Sequence, residues 1–216
     1  MKTIVFDKEI NHETIALLFN EIETIPETEQ PTDYGSGDGK GPFFYERTIY
    51  FSSDGGYVSA ADVLVDYLNT NPGGFLITLV GAGPLCSAAF DIFFKANPAD
   101  KYLLKSAYGM AHEGTFFSNV RSEKDYDSFD NFYKQELQKQ DVEMYNYYEE
   151  VLGIPKSRIT KMKKGKDLYF SYDEMQKMLI RQWGFVVAER EALAKDSEEV
   201  FKSQAQAQAT VLNESC

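Results

Sequence analysis

The chain has 216 residues, 43% of them hydrophobic and 14% aromatic, with a formal net charge of −12. That length can bury one sizeable core but not two large ones, and the composition is that of a folded chain and not a disordered one. The acidic balance excludes a duplex-binding surface, which needs concentrated Lys and Arg, and disfavours docking to an anionic membrane face.

Residues 2–6 (Lys-Thr-Ile-Val-Phe) are short, β-branched and bounded by charge, which predicts a strand. From Asn11 to Ile25 apolar residues recur at Ile15, Leu18, Phe19, Ile22 and Ile25, a helical spacing with Asn11 as N-cap. Pro26 to Pro42 contains four glycines and reads as a loop, its Gln30–Pro42 part with the look of an insertion. Thr48 to Phe51 predicts a second strand, ending at Ser53-Asp54-Gly55-Gly56. A helix then places Ala61, Leu64, Val65 and Leu68 on one face and stops at Asn71-Pro72-Gly73-Gly74.

Phe75 to Val80 is an almost continuous apolar run, as expected of a strand buried on both faces, and Gly81-Ala82-Gly83-Pro84 should break it. Ser87 to Phe94 predicts a short apolar helix, and Leu103-Leu104 and Tyr108 to Ala111 two further strands. Strands alternating with helices imply βαβ units and a largely parallel α/β sheet. Residues 125–152 predict a long helix whose stripe of Tyr126, Phe129, Tyr133, Leu137, Met144, Tyr148 and Val151 suits core or subunit packing. Residues 191–216 thin into a polar tail.

Chemistry concentrates at few positions. Only His12 and His112 offer a neutral-pH proton acceptor. Ser87 follows a glycine-broken strand and opens a helix; alone it would serve as an N-cap, but with a base in reach it is a nucleophile. His112 ends a strand 25 residues later and can be that base. Gly55-Gly56 suits either a tight turn or, with the Ala88 N–H, an oxyanion hole. Asp167 is a candidate to orient the imidazole, and six basic residues between Lys156 and Lys166 precede it as a solvated face. Cys86 has apolar neighbours and reads as packing, not as a rival nucleophile.

Cys86 and Cys216 make no disulfide framework, and the N-terminus carries no signal-type apolar core. No stretch approaches the roughly twenty apolar residues a spanning helix requires. A cytoplasmic protein is expected. Zinc-type spacings, phosphate-cradling loops and dinucleotide fingerprints do not occur, so no cofactor is expected.

Taken together, Thr48 to Gly114 resembles the Clp-type serine peptidases (ClpP). The Ser-Asp-Gly-Gly56 turn, the Gly83-Pro-Leu-Cys-Ser87-Ala88 segment and Gly-Met-Ala-His112 follow that family's order, and Asp167-Leu-Tyr-Phe-Ser171 matches its acid segment. The resemblance covers most of residues 2–188. It implies an α/β ClpP/crotonase-like fold of repeated ββα units with a protruding handle helix at about 125–152, in a peptidase domain of residues 1–190. It also implies a serine endopeptidase with Ser87 as nucleophile, His112 as base and Asp167 as orienting acid. Gly55 or Gly56 and Ala88 would hold the oxyanion, and subunits would form a homo-oligomeric ring acting on protein substrates.

Departures temper this. Asp54 stands where the family has proline, and Glu113-Gly114 where Gln-Pro is common. Met1 all but begins the first strand, so the family's axial-loop segment has no counterpart and an AAA+ unfoldase is the less expected partner. A phage-type capsid-maturation protease fits the same features. The rival readings are a catalytically silent ring subunit and an acyl-CoA enzyme of the same superfold.

Overall fold

The computed structural model describes residues 1–33, 43–113, 139 and 141–184. Its strands are β1 (Lys2–Phe6), β2 (Thr32–Asp33), β3 (Phe43–Phe44), β4 (Glu46–Ser53), β5 (Leu76–Cys86), β6 (Asp100–Leu103), β7 (Tyr108–Ala111) and β8 (Leu168–Phe170). Between them run α1 (His12–Glu23), α2 (Val58–Thr70) and α3 (Ala88–Lys95). Helical residues 141–146, here α4, pass into a π-helix at Tyr147–Val151, followed by α5 (Lys156–Met162) and α6, helical over 172–184.

β1, β4 and β5 lie parallel in register, so consecutive strands are linked by the crossovers that carry α1 and α2. β5 then pairs with β6 through Thr78–Gly81 and with β7 through Pro84–Cys86, and β8 closes the sheet antiparallel to β7. β2 and β3 form a separate two-stranded antiparallel pair, so the expected Pro26–Pro42 loop is interrupted by strand at Thr32–Asp33. Its residues 34–42 lie outside those described.

Local chemistry explains the helix ends. Asn11 caps α1 in a full capping box: its Oδ1 accepts from the Thr14 N–H at 2.9 Å, and Thr14 Oγ1 accepts from the Asn11 N–H at 3.1 Å. Asn71 ends α2 in the left-handed conformation (φ 45°, ψ 59°), with its side chain bonded both ways to Phe75. Arg47, fully buried on β4, donates to the Ile22 carbonyl at 2.7 Å and to Glu29 at 2.7 Å, and so satisfies the C-terminal end of α1.

The expectation for 75–86 needs correcting in two respects. β5 does not stop at Gly81-Ala82-Gly83-Pro84 but continues to Cys86. Its glycines let neighbours press in: a Cβ on Gly81 would meet Leu103 at 2.8 Å, and one on Gly83 would meet Ser52 Oγ at 2.7 Å. The pairing with β4 shifts register between Phe51 and Ser53 as the strand changes partner from β6 to β7. Its first half is buried chiefly on one face: Ile77 and Leu79 are buried while Leu76 and Thr78 are half-buried, and the other face becomes buried only at Val80.

The core forms against the inward face, where Phe51, Leu64, Leu85, Phe90, Phe93 and Phe170 are essentially excluded from solvent. Of the predicted long helix, only 139 and 141–152 fall within the described residues. There Tyr148 is buried in this chain's own core, edge-on to Phe90 at 5.7 Å, so this part of the stripe packs inward. Tyr126, Phe129, Tyr133 and Leu137, and the tail from 191, lie outside the described residues.

Candidate active site

β5 delivers Ser87 to a sharp strand-to-helix turn. Its backbone sits at φ 55°, ψ −125°, a conformation that glycine adopts readily and serine does not. Three backbone hydrogen bonds hold it there. The Ser87 N–H donates to the Met110 carbonyl at 2.6 Å, and the Ser87 carbonyl accepts from Phe90 at 2.9 Å and from Asp91 at 3.3 Å. The hydroxyl makes no helix cap. It meets His112 Nε2 instead, at 2.8 Å.

The tautomer follows from the other ring nitrogen. His112 Nδ1 lies 2.7 Å from the Glu113 carbonyl, which can only accept. Nδ1 of the neutral ring therefore carries the proton, and Nε2 presents its lone pair to Ser87 Oγ–H. That is the arrangement a general base requires. His12, by contrast, is exposed and pairs with Ser59 at 3.3 Å.

The glycine pair abuts the serine. A Cβ on Gly55 (φ 111°) would lie 2.7 Å from Ser87 Cβ, and one on Gly56 would collide with the Ile10 carbonyl at 2.0 Å. Ile10 stitches this turn in place, donating to the Gly55 carbonyl at 2.9 Å and accepting from Tyr57 at 2.8 Å. The Gly55 N–H is taken by Ser53 Oγ at 3.1 Å. The bridge bonds run through the Gly55 carbonyl and the Tyr57 N–H, so the Gly56 N–H is not spent on Ile10, and Ala88, at the first position of α3, has an N–H without an intrahelical acceptor.

Asp167 is placed differently from a bonded triad acid. β8 pairs Leu168 with Ala111, and Asp167 precedes that pair on one strand as His112 follows it on the other. It is exposed, and its carboxylate accepts from Tyr169 at 3.5 Å while the Glu113 carbonyl holds the imidazole. Cys86, beside the serine, is buried, and burial followed by the charge of Asp54 pushes its thiol up, away from the thiolate a nucleophile needs.

The fold has a counterpart among solved structures. A ClpP1 variant from Listeria monocytogenes superimposes with a TM-score of 0.57, covering 82% of this chain and 86% of that one at 19% identity. The fold is ClpP-like. No family model matches the sequence, and no curated protein matches it.

Within the ClpP-like frame, a cavity of about 470 Å³ opens beside Ser87 and His112 and runs along α3 toward Asp91 and Lys95. In the sequence Tyr148 reads only as packing, Ser53 only as part of a turn and Glu113 only as a departure from the family, and Asp91 is given no role. Only Asp91 carried a usable signal, one helical turn beyond the serine. Among the described residues no helix is long and apolar enough to cross a membrane, and no cluster of three or more His, Cys, Asp or Glu could hold a metal ion.

Proposed function

We propose that this protein is a serine endopeptidase. The observation that carries the proposal is the 2.8 Å approach of Ser87 Oγ to a His112 Nε2 whose partner nitrogen is occupied by a carbonyl. His112 takes the Ser87 proton as Oγ attacks the scissile carbonyl carbon. The resulting oxyanion is held by the N–H groups of Gly56 (or Gly55) and Ala88. As the tetrahedral adduct collapses, the C–N bond breaks and the amine leaves with the proton from His112. Water, deprotonated by the same imidazole, then cleaves the acyl-Ser87 ester and restores the hydroxyl.

Asp167 serves this scheme as the anion beside the imidazolium, one position past the β7–β8 pairing. Assembly into a homo-oligomeric ring belongs to the same reading, supported by the fold likeness, and sedimentation of the full chain measures it. The Ser87–His112 contact speaks against a silent structural subunit.

A fluorophosphonate probe tests the chemistry. It is expected to label the wild-type chain at Ser87 and to fail on Ser87→Ala and His112→Ala, with peptide hydrolysis lost in parallel. Hydrolysis that persists in Ser87→Ala, or a wild-type chain that takes no label, ends the proposal.

A further inference from the structure

The cavity beside Ser87 has a chemical character of its own. It begins at Ser87 and His112 and follows one face of α3, where Ala88, Asp91 and Lys95 succeed one another. Asp91 lies four residues past Ser87, about 6 Å along the helix axis at 1.5 Å per residue. A side chain leaving the carbon next to the attacked carbonyl would run along that face. Its volume falls within the roughly 300–1,000 Å³ of small-ligand pockets.

Among the described residues that line the cavity, Asp62, Asp91 and Glu143 are joined by Asp141 and by one ammonium, Lys95. Asp91 is fixed in place: Oδ1 accepts from the fully buried Tyr148 hydroxyl at 2.6 Å, and Oδ2 faces Lys95 at 3.6 Å. Burial raises the Asp62 carboxyl above its ordinary range, with Lys95 opposing and Asp91 and Asp66 adding to the rise. Like charge is thus crowded around Asp62 and Asp91, while Met144 and Tyr147 add apolar wall, the Tyr147 hydroxyl donating to the Phe94 carbonyl at 2.8 Å. An apolar stem with a cationic tip matches that combination, and lysine and arginine are such side chains. A leucyl group would bury apolar surface against a fixed carboxylate, and a glutamyl group would add to the repulsion.

We infer that this cavity is a specificity pocket selecting a basic residue on the acyl side of the scissile bond, with Asp91 as its principal determinant and Asp62 as a second. The inference rests on Ser87 being a peptidase nucleophile, as proposed above.

Peptidyl diphenyl phosphonates with a lysyl, leucyl or glutamyl side chain next to phosphorus test it, read as labelling rates of Ser87 in the full chain. The lysyl probe is expected to react about tenfold or more faster than the leucyl probe, with the glutamyl probe slowest. In Asp91→Asn, which keeps an acceptor for Tyr148, the lysyl-to-leucyl ratio should fall by about tenfold, and Asp62→Asn should lower it less. Because each ratio is taken on one preparation, partial loss of folded protein cancels. A leucyl preference in a wild-type chain that still takes a fluorophosphonate overturns the pocket and spares the nucleophile. An unchanged ratio in both variants overturns it too. No labelling by any probe removes the peptidase reading itself.

Discussion

The Nδ1–H of His112 donates to the carbonyl of its chain neighbour Glu113 at 2.7 Å. A main-chain acceptor thus sets the tautomer, a task usually given to a carboxylate. In the proposed scheme Asp167 acts on the imidazolium through its charge alone. Asp167→Asn should therefore slow peptide hydrolysis by about ten- to a hundredfold, less than the roughly 10⁴-fold seen where a carboxylate alone holds the ring. Steady-state kcat measures it, with His112→Ala as the deeper reference. A loss equal to that of His112→Ala would mean the carbonyl contributes nothing.

Gly55 has no room for a side chain. A Cβ there would sit 2.7 Å from Ser87 Cβ and 2.9 Å from the Cys86 carbonyl, at a φ of 111° that alanine resists. Gly55→Ala should push the nucleophile off its line to His112, and fluorophosphonate labelling should slow by about a hundredfold or more. Wild-type labelling in that variant would contradict the packing of this turn against Ser87.

Ser87 holds its own strained backbone at φ 55°, ψ −125°. Ser87→Gly relieves that strain, whereas Ser87→Ala keeps it. The glycine variant should be more stable than the alanine variant by about 1 kcal/mol, read from urea midpoints, with both inactive. Equal midpoints would show that the conformation carries no cost.

Lys101 on β6 is buried, its Nζ donating to the Phe93 and Phe94 carbonyls at 3.1 and 3.2 Å and to Gln182 at 3.0 Å. Burial lowers its ammonium from 10.5 to about 7. Between those values the unfolded chain binds a proton that the folded chain does not, so stability rises with pH across that window. The burden of the buried charge is full below about pH 7 and lifts toward pH 10. Urea midpoints of the wild type should climb from pH 7 to 9.5, and Lys101→Met should flatten the climb. Parallel slopes in the two proteins would place the titration elsewhere.

Much of the architecture was legible because it depends on local chemistry. The Asn11 cap, the left-handed Asn71 stop and the period of α2 are decided within a few residues by hydrogen bonding and apolar spacing. Residues 81–84 were not legible in this way, because glycines that ordinarily break a strand here let Leu103 and Ser52 pack close to it. Nor was the burial of Arg47, which depends on carbonyls 23 to 25 residues away.

From the chain alone came the residue types: a serine after a glycine-bearing strand, a histidine at the end of a later one, and a glycine pair before both. Tertiary structure alone decided how they meet. The parallel pairing of β5 with β7 sets Cys86 against Met110 and so brings Ser87 to His112, while the Glu113 carbonyl takes the other ring nitrogen. Orientation of a ring nitrogen to within a fraction of an ångström depends on strand register and on competing acceptors. Neither is encoded in the spacing of residues along the chain.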